Sequence, residues 1–120
     1  MSDQIRLTGL SATGHHGVFE HERRDGQRFV VDVVLDFDAR AAALSDEVTD
    51  TVDYSLVASA VVNRVTGEAV NLIETLAERI AGDVLDLFPV EAVEVTVHKP
   101  EAPLEATFTD VSVTVRRVRS

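Results

Sequence analysis

The 120-residue sequence predicts an α+β fold: a four-stranded antiparallel sheet with two helices on one face, in the order β-β-α-α-β-β. Three observations predict it. Apolar and polar residues alternate in four stretches, two towards each end of the chain. Between them, two stretches space their apolar residues three and four apart, the helical interval. The alternating stretches carry one valine-rich side and one polar side, so both helices have a single sheet face to cover.

The first strand spans Ile5 to Leu10, with Ile5 and Leu7 on one side and Arg6 and Thr8 on the other. The following GHHGVFEHERRDGQ reads as a loop, with Asp25-Gly26 as a turn signal. The second strand, FVVDVVLDF, places Phe29, Val31, Val33, Leu35 and Phe37 on one face and Asp32 and Asp36 on the other. After TVDYS, a helix from Leu56 to Val65 shows Val57, Ala60, Val61 and Val65, with Gly67 at the C-cap position. A second helix from about Leu72 to Leu87 carries the stripe Ile73, Leu76, Ile80, Val84 and Leu87, and Pro89 follows its end. The last two strands alternate Val93, Val95, Val97 with Glu94, Thr96, His98, and Val111, Val113, Val115 with Ser112, Thr114, Arg116. No repeat or linker interrupts the chain, so residues 1–120 read as one domain.

The polar face, with Asp32, Asp36, Glu94, Thr96, Ser112 and Thr114, is expected to meet water. Four strands leave two edges, and no proline or lysine blunts them. Pairing edge to edge between subunits, closed by rotational symmetry, would give an oligomeric barrel with a polar lumen.

Composition narrows the function. The net charge of −10 argues against nucleic acid as a partner, and the short clusters Arg23-Arg24 and Arg116-Arg117-Arg119 read as solvated surface. No apolar stretch approaches membrane-spanning length, and MSDQIRLTGL reads as no targeting segment, so the expectation is a cytoplasmic protein without a membrane partner. Absence of cysteine removes disulfides, thiol catalysis and cysteine-bound zinc. His15, His16, His21 and His98 match no metal-ligand spacing, and adjacent histidines on a regular strand cannot face one ion; no metal is expected. No GxGxxG, P-loop or GxSxG motif is present, which leaves nucleotide cofactors and serine hydrolysis without support.

Lys99, in HKPEAP, is the only lysine; the other ten cationic side chains are arginine. Pro100 ends ladder pairing directly after it. It reads either as a strand-end cation reaching solvent or as a proton-transferring amine, because a lysine can be desolvated until it exchanges protons near neutrality and an arginine cannot. Tyr54, the only tyrosine, stands at the entrance to the first helix, as a half-buried anchor or a general acid or base. Asn71 can cap the second helix, which would make Glu74 the N3 member of a capping box. A first-turn carboxylate could equally accept two parallel hydrogen bonds from an amidine-like N–H pair on a ligand. Glu22, within Glu20-His21-Glu22-Arg23-Arg24, reads as solvated surface.

Taken together, GHHGVFEHE, TVDYS, NLIETLAERIA and HKPEAP resemble, in that order and over nearly the whole chain, the dihydroneopterin aldolases of folate biosynthesis. The resemblance implies the tunnelling fold (T-fold), in which four subunits complete a barrel and two rings stack into an octamer. It implies a small-molecule pterin substrate held between neighbouring subunits and cleaved without a cofactor. By position, Glu74 would grip the amino and ring N–H edge of the pterin, with Ile73 and Leu72 alongside. Tyr54, with Thr51 and Val52, would be the neighbouring subunit's wall, Lys99 the proton-transferring lysine and Glu22 the carboxylate that positions it. The electron sink would be the dihydropterin ring itself, where other aldolases use a Schiff base or zinc.

Two departures stand out: Leu104-Glu105-Ala106 where the family often has a further proline, and Asp53 before Tyr54 where some members have histidine. The alternatives are an epimerase of dihydroneopterin or its triphosphate, for which Arg23, Arg24 and Arg28 could supply a basic rim, and a non-catalytic pterin-binding ring protein. A metal-dependent relative on the same fold is disfavoured by the missing cysteines and the histidine spacing.

Overall fold

Every second side chain of the FVVDVVLDF stretch is apolar, and burying that row decides the fold. In the computed structural model, which describes residues 3–120, Phe29, Val31, Val33 and Leu35 are each 0% exposed. Burial of side chains of this size is worth roughly 1.5–3 kcal/mol each. They belong to β2 (Gln27–Phe37), which pairs antiparallel with β1 (Asp3–Gly14) on one side and β3 (Ala92–His98) on the other. β4 (Ser112–Val118) completes the sheet against β3, in the order β1-β2-β3-β4.

The two long helices are α3 (Tyr54–Thr66) and α4 (Ile73–Leu87), numbered after the short helices α1 (Glu20–Asp25) and α2 (Arg40–Ser45). α3 lies over β1, and α4 over β3 and β4. Val57, Val61 and Val65 of α3 and Leu76, Ala77, Ile80, Ala81 and Val84 of α4 meet the sheet's valine face. A two-pronged ion pair ties the helices together, with Arg64 Nε and Nη2 donating to Asp83 at 2.8 and 2.7 Å. The α+β architecture, strand pairing and placement of both long helices agree with the reading from periodicity. Among the described residues no helix is long and apolar enough to cross a membrane.

The differences have physical causes. β1 runs past Leu10 to Gly14 because its register shifts between Leu7 and Leu10, where Gly9 takes φ +78° and donates to Asp32 Oδ1 at 2.8 Å. The bulge resets the parity, so Ile5 and Leu7, then Leu10 and Ala12, all pack on the core. The stretch read as one loop contains α1, and α2 with a 3₁₀ turn (Val48–Asp50) separates β2 from α3. Leu87, placed on the buried stripe, is 65% exposed at the last turn of α4. Asp36, expected to face water, is buried beneath Gln4 Nε2 (3.1 Å) and Arg116 Nη2 (2.6 Å). Gly67 caps α3 with φ −85°, and its glycine is needed because a Cβ would lie 2.8 Å from the Asn63 carbonyl oxygen.

Candidate active site

The loop from His15 to Phe19 is fastened to the helical layer before it reaches the site. His16 is fully buried: its Nε2 meets the Val65 carbonyl at 2.7 Å, its Nδ1 accepts the Val70 N–H at 3.1 Å, and its ring stands edge-on to Phe29. Burial pushes its pKa below the ordinary value, with the Val65 carbonyl opposing, so it serves as a neutral brace. Gly17 then donates to the Val70 carbonyl at 2.9 Å. Its φ is +149°, and any Cβ there would come within 2.3 Å of the Glu22 carboxylate, so only glycine lets Glu22 in.

Helix α1 carries Glu22 into the interior. Phe19 is the N-cap, and Glu22, three residues on, reaches back to accept the Phe19 N–H at 3.2 Å, one half of a capping box. Its other oxygen accepts Gln27 Nε2 at 3.0 Å and the Lys99 ammonium at 2.6 Å. Glu22 is 2% exposed, which corrects its reading as solvated surface. Burial would raise its pKa, but the bonds from Lys99, Phe19 and Gln27 outweigh that and hold the carboxyl below its ordinary value.

Lys99 follows the last pair of β3, its own N–H bonded to the Val111 carbonyl at 2.7 Å. Its side chain is 13% exposed and turns inward to Glu22, so the strand-end cation reaching solvent is not what the fold builds. The pair forms part of the wall of a cavity of about 340 Å³, together with Phe19, Leu72, Ile73 and Glu74 on one side and Ala102, Pro103, Leu104, Val111 and Val113 on the other. Glu74 is exposed, and among the described residues its carboxylate has no hydrogen-bond or ion-pair partner. α4 begins one residue later than a capping box requires: Leu72 is the N-cap, and the Asn71 carboxamide is taken up by Arg23 Nη2 at 2.5 Å. The capping-box reading of Asn71 and Glu74 is therefore overturned.

Tyr54, Thr51 and Val52 do not line this cavity. Tyr54 opens α3 and is 60% exposed, while Thr51 and Val52 line a separate depression with Phe37, Asp38 and Pro89. Gln27 was not anticipated; the only hint was its place after the Asp25-Gly26 turn. Its Oε1 is buried with no partner among the described residues.

The basic rim does not form at the cavity either. Arg23 Nε is spent on the Gly17 carbonyl at 2.8 Å, Arg24 pairs with Asp25 at 2.9 Å, and Arg28 is not among the cavity's lining residues. The four histidines are engaged separately: His15 with the Arg23 carbonyl, His16 as above, His21 stacked on Phe19, and His98 with Asp32 and Asp110. Among the described residues no three or more potential ligands converge on a metal position.

A chain with this sheet, and with a cavity flanked by a buried lysine–carboxylate pair and a helix-terminal carboxylate without a partner among the described residues, is similar to known proteins over nearly its whole length. The family model for dihydroneopterin aldolase matches residues 5–116. A dihydroneopterin aldolase from Streptomyces coelicolor is 56% identical over 117 residues, covering 98% of each chain. The crystal structure of the E. coli dihydroneopterin aldolase in complex with neopterin superposes with a TM-score of 0.89 at 33% identity, over 96% of this chain and 98% of that one. A Burkholderia dihydroneopterin aldolase bound to guanine gives 0.81 at 27% identity, over 99% and 93%. The chain belongs to the dihydroneopterin aldolase family.

Proposed function

We propose that this chain cleaves dihydroneopterin to hydroxymethyl-dihydropterin and glycolaldehyde, with Lys99 moving the protons. The observation that carries this reading is the Lys99–Glu22 pair, 2.6 Å apart and nearly closed to solvent in the wall of an otherwise mostly apolar cavity. The unpaired Glu74 carboxylate at the first turn of α4, beside Ile73 and Leu72, suits a ligand edge that offers two parallel N–H groups. Both neopterin and guanine, bound in the two related structures, present such an edge.

The chemistry needs little more. Lys99, as the free amine, takes the proton of the side-chain hydroxyl as the carbon–carbon bond breaks, and the bond's electron pair passes into the conjugated ring imine of the dihydropterin. A proton then returns to carbon, and glycolaldehyde departs. Glu22, kept ionised by its three donors, fixes the ammonium against the cavity wall, so Lys99 needs no reorientation when substrate arrives. An arginine in the same place could not take part, because it stays protonated.

The reading includes an assembly. Tyr54, more than half exposed and away from Lys99 in its own chain, would close the cavity of a neighbouring subunit together with Thr51 and Val52. The free outer edges of β1 and β4 would pair between chains to make a four-subunit ring, and two rings an octamer. The absence of cysteine suits a reducing cytoplasm.

The test is to incubate the purified chain with dihydroneopterin, without added metal, and assay glycolaldehyde. Its release supports the reading. Recovery of substrate with only an inverted side-chain alcohol would favour the epimerase, and unchanged substrate would favour a binding protein.

A further inference from the structure

His98 and Lys99 are neighbours at the end of β3, and alternation sends their side chains to opposite faces of the sheet. Lys99 turns into the cavity. His98 points to the polar face, where Nδ1 meets Asp110 Oδ2 at 2.6 Å and Nε2 meets Asp32 Oδ2 at 2.7 Å. With a carboxylate on each ring nitrogen, both nitrogens donate and the ring is an imidazolium. Asp32 uses its other oxygen to accept the Gly9 N–H at the β1 bulge, 2.8 Å away. His98 thus joins β3 to Asp32 of β2 and to Asp110, two residues before β4, and Asp32 extends the link to β1.

The join sits where the backbone ladder runs out. Val30↔His98 is the last β2–β3 pair and His98↔Ser112 the last β3–β4 pair. Beyond it, Pro100 has no N–H to donate, and the segment from Lys99 to Asp110 carries Ala102, Pro103 and Leu104 along the cavity. The Lys99 N–H still donates to the Val111 carbonyl at 2.7 Å, but its carbonyl has left the sheet and accepts the Ala102 N–H at 3.1 Å in the turn that follows. Asp110, next to Val111, is clamped by His98.

We propose that the Asp32–His98–Asp110 clasp is a positioning device for Lys99: gripping the polar face, it fixes the backbone from which the amine reaches Glu22 on the other. The proposal rests on the reading of Lys99 as the proton-transferring residue. His98 is a positioning residue in this scheme, acting through its neighbour without touching substrate.

Two variants test it, Asp110→Asn and His98→Gln, each made in the parent and in a Lys99→Ala background. Asp110→Asn leaves the His98–Asp32 and Asp32–Gly9 contacts in place, so it carries the test if His98→Gln fails to fold. In the parent background kcat for glycolaldehyde release is expected to fall about tenfold, the scale of loss for a reacting group held a fraction of an ångström off its mark, while the Kd for neopterin changes less than about threefold. In the Lys99→Ala background the same substitution is expected to change residual turnover by less than about twofold, since its effect passes through the missing amine. The clasp is refuted if kcat in both variants stays near the parent value, if neopterin binding falls as far as kcat, or if the full loss persists without Lys99. A Lys99→Ala chain that turns over at the parent rate overturns the reading of Lys99 itself, a result distinct from the others.

Discussion

Replacing Lys99 with alanine removes the ammonium 2.6 Å from Glu22 Oε2 and strands a carboxylate that is 2% exposed. At an effective dielectric of about 20 the lost attraction is about 6 kcal/mol before desolvation is counted. The cost of the stranded group has a ceiling, because Glu22 can take a proton instead. From its ordinary value of 4.5, neutralising it costs about 1.4 kcal/mol per pH unit, or about 3 kcal/mol at pH 7 and about 1.4 kcal/mol at pH 5.5. In the parent the Glu22 pKa is lowered, so its stabilisation is present above the ordinary carboxylate pKa and is lost as pH falls through the lowered value. In the variant the buried carboxyl keeps only the Phe19 and Gln27 donors against its desolvation, so its pKa is expected to rise and the penalty to fade on acidification. Urea unfolding of parent and variant at equal protein concentration should therefore show a gap of up to about 3 kcal/mol at pH 7 that shrinks to roughly half or less at pH 5.5. A gap that is absent at pH 7, or that is unchanged between the two pH values, would refute the buried pair as described.

Glu74→Ala should cost only about 0.3–1 kcal/mol of stability, the scale of a first-turn carboxylate on a helix dipole, because no cap bond is lost. It should weaken neopterin binding by roughly tenfold to a hundredfold, as loss of charge-assisted hydrogen bonds does; titrations that match the parent would remove Glu74 from the site. Chains carrying Lys99→Ala and chains carrying Tyr54→Ala, unfolded and refolded together in equal amounts, should regain about a quarter of parent turnover if each site takes its lysine and its tyrosine from different chains, and none if both come from one chain. His98 is held above its ordinary pKa by Asp110 and then Asp32, against partial burial. Its stabilisation is thus whole below pH 6.5 and lost as pH rises through the raised value, so the thermal-stability gap between parent and His98→Gln should be wider at pH 6 than at pH 9. An equal or widening gap would contradict the imidazolium clasp.

How much of this could be read in advance depends on how local each signal is. β2, β3 and α4 announce themselves because a single face is buried along their whole length, and periodicity reports that directly. Alternation reports only the first part of β1, because the bulge at Gly9 shifts the parity by one residue and breaks the pattern without ending the strand. Helix α1 was hidden for a different reason: of its six residues only Glu22 is buried, and a glutamate between charged neighbours looks like surface. What buries Glu22 is a lysine 77 residues away and the space left by Gly17, neither of which periodicity can express. The local sequence points to an Asn71 cap, but the asparagine has a competing partner, Arg23, which no local pattern reports. Lys99 was noticed for being the only lysine, but what it touches became visible only in the fold. Tyr54 is exposed at the start of α3, and the role the resemblance gives it belongs to an assembly of chains, which the periodicity of one chain does not express.

The proposed reaction depends on Lys99 exchanging a proton rather than merely supplying a positive charge. The most direct measurement is a single-turnover assay of Lys99→Arg, which keeps the charge but has no neutral form to take up a proton, with neopterin affinity measured on the same preparation. Glycolaldehyde release slower than parent by about a hundredfold or more, with neopterin still bound, is the predicted result. Release at the parent rate would contradict it.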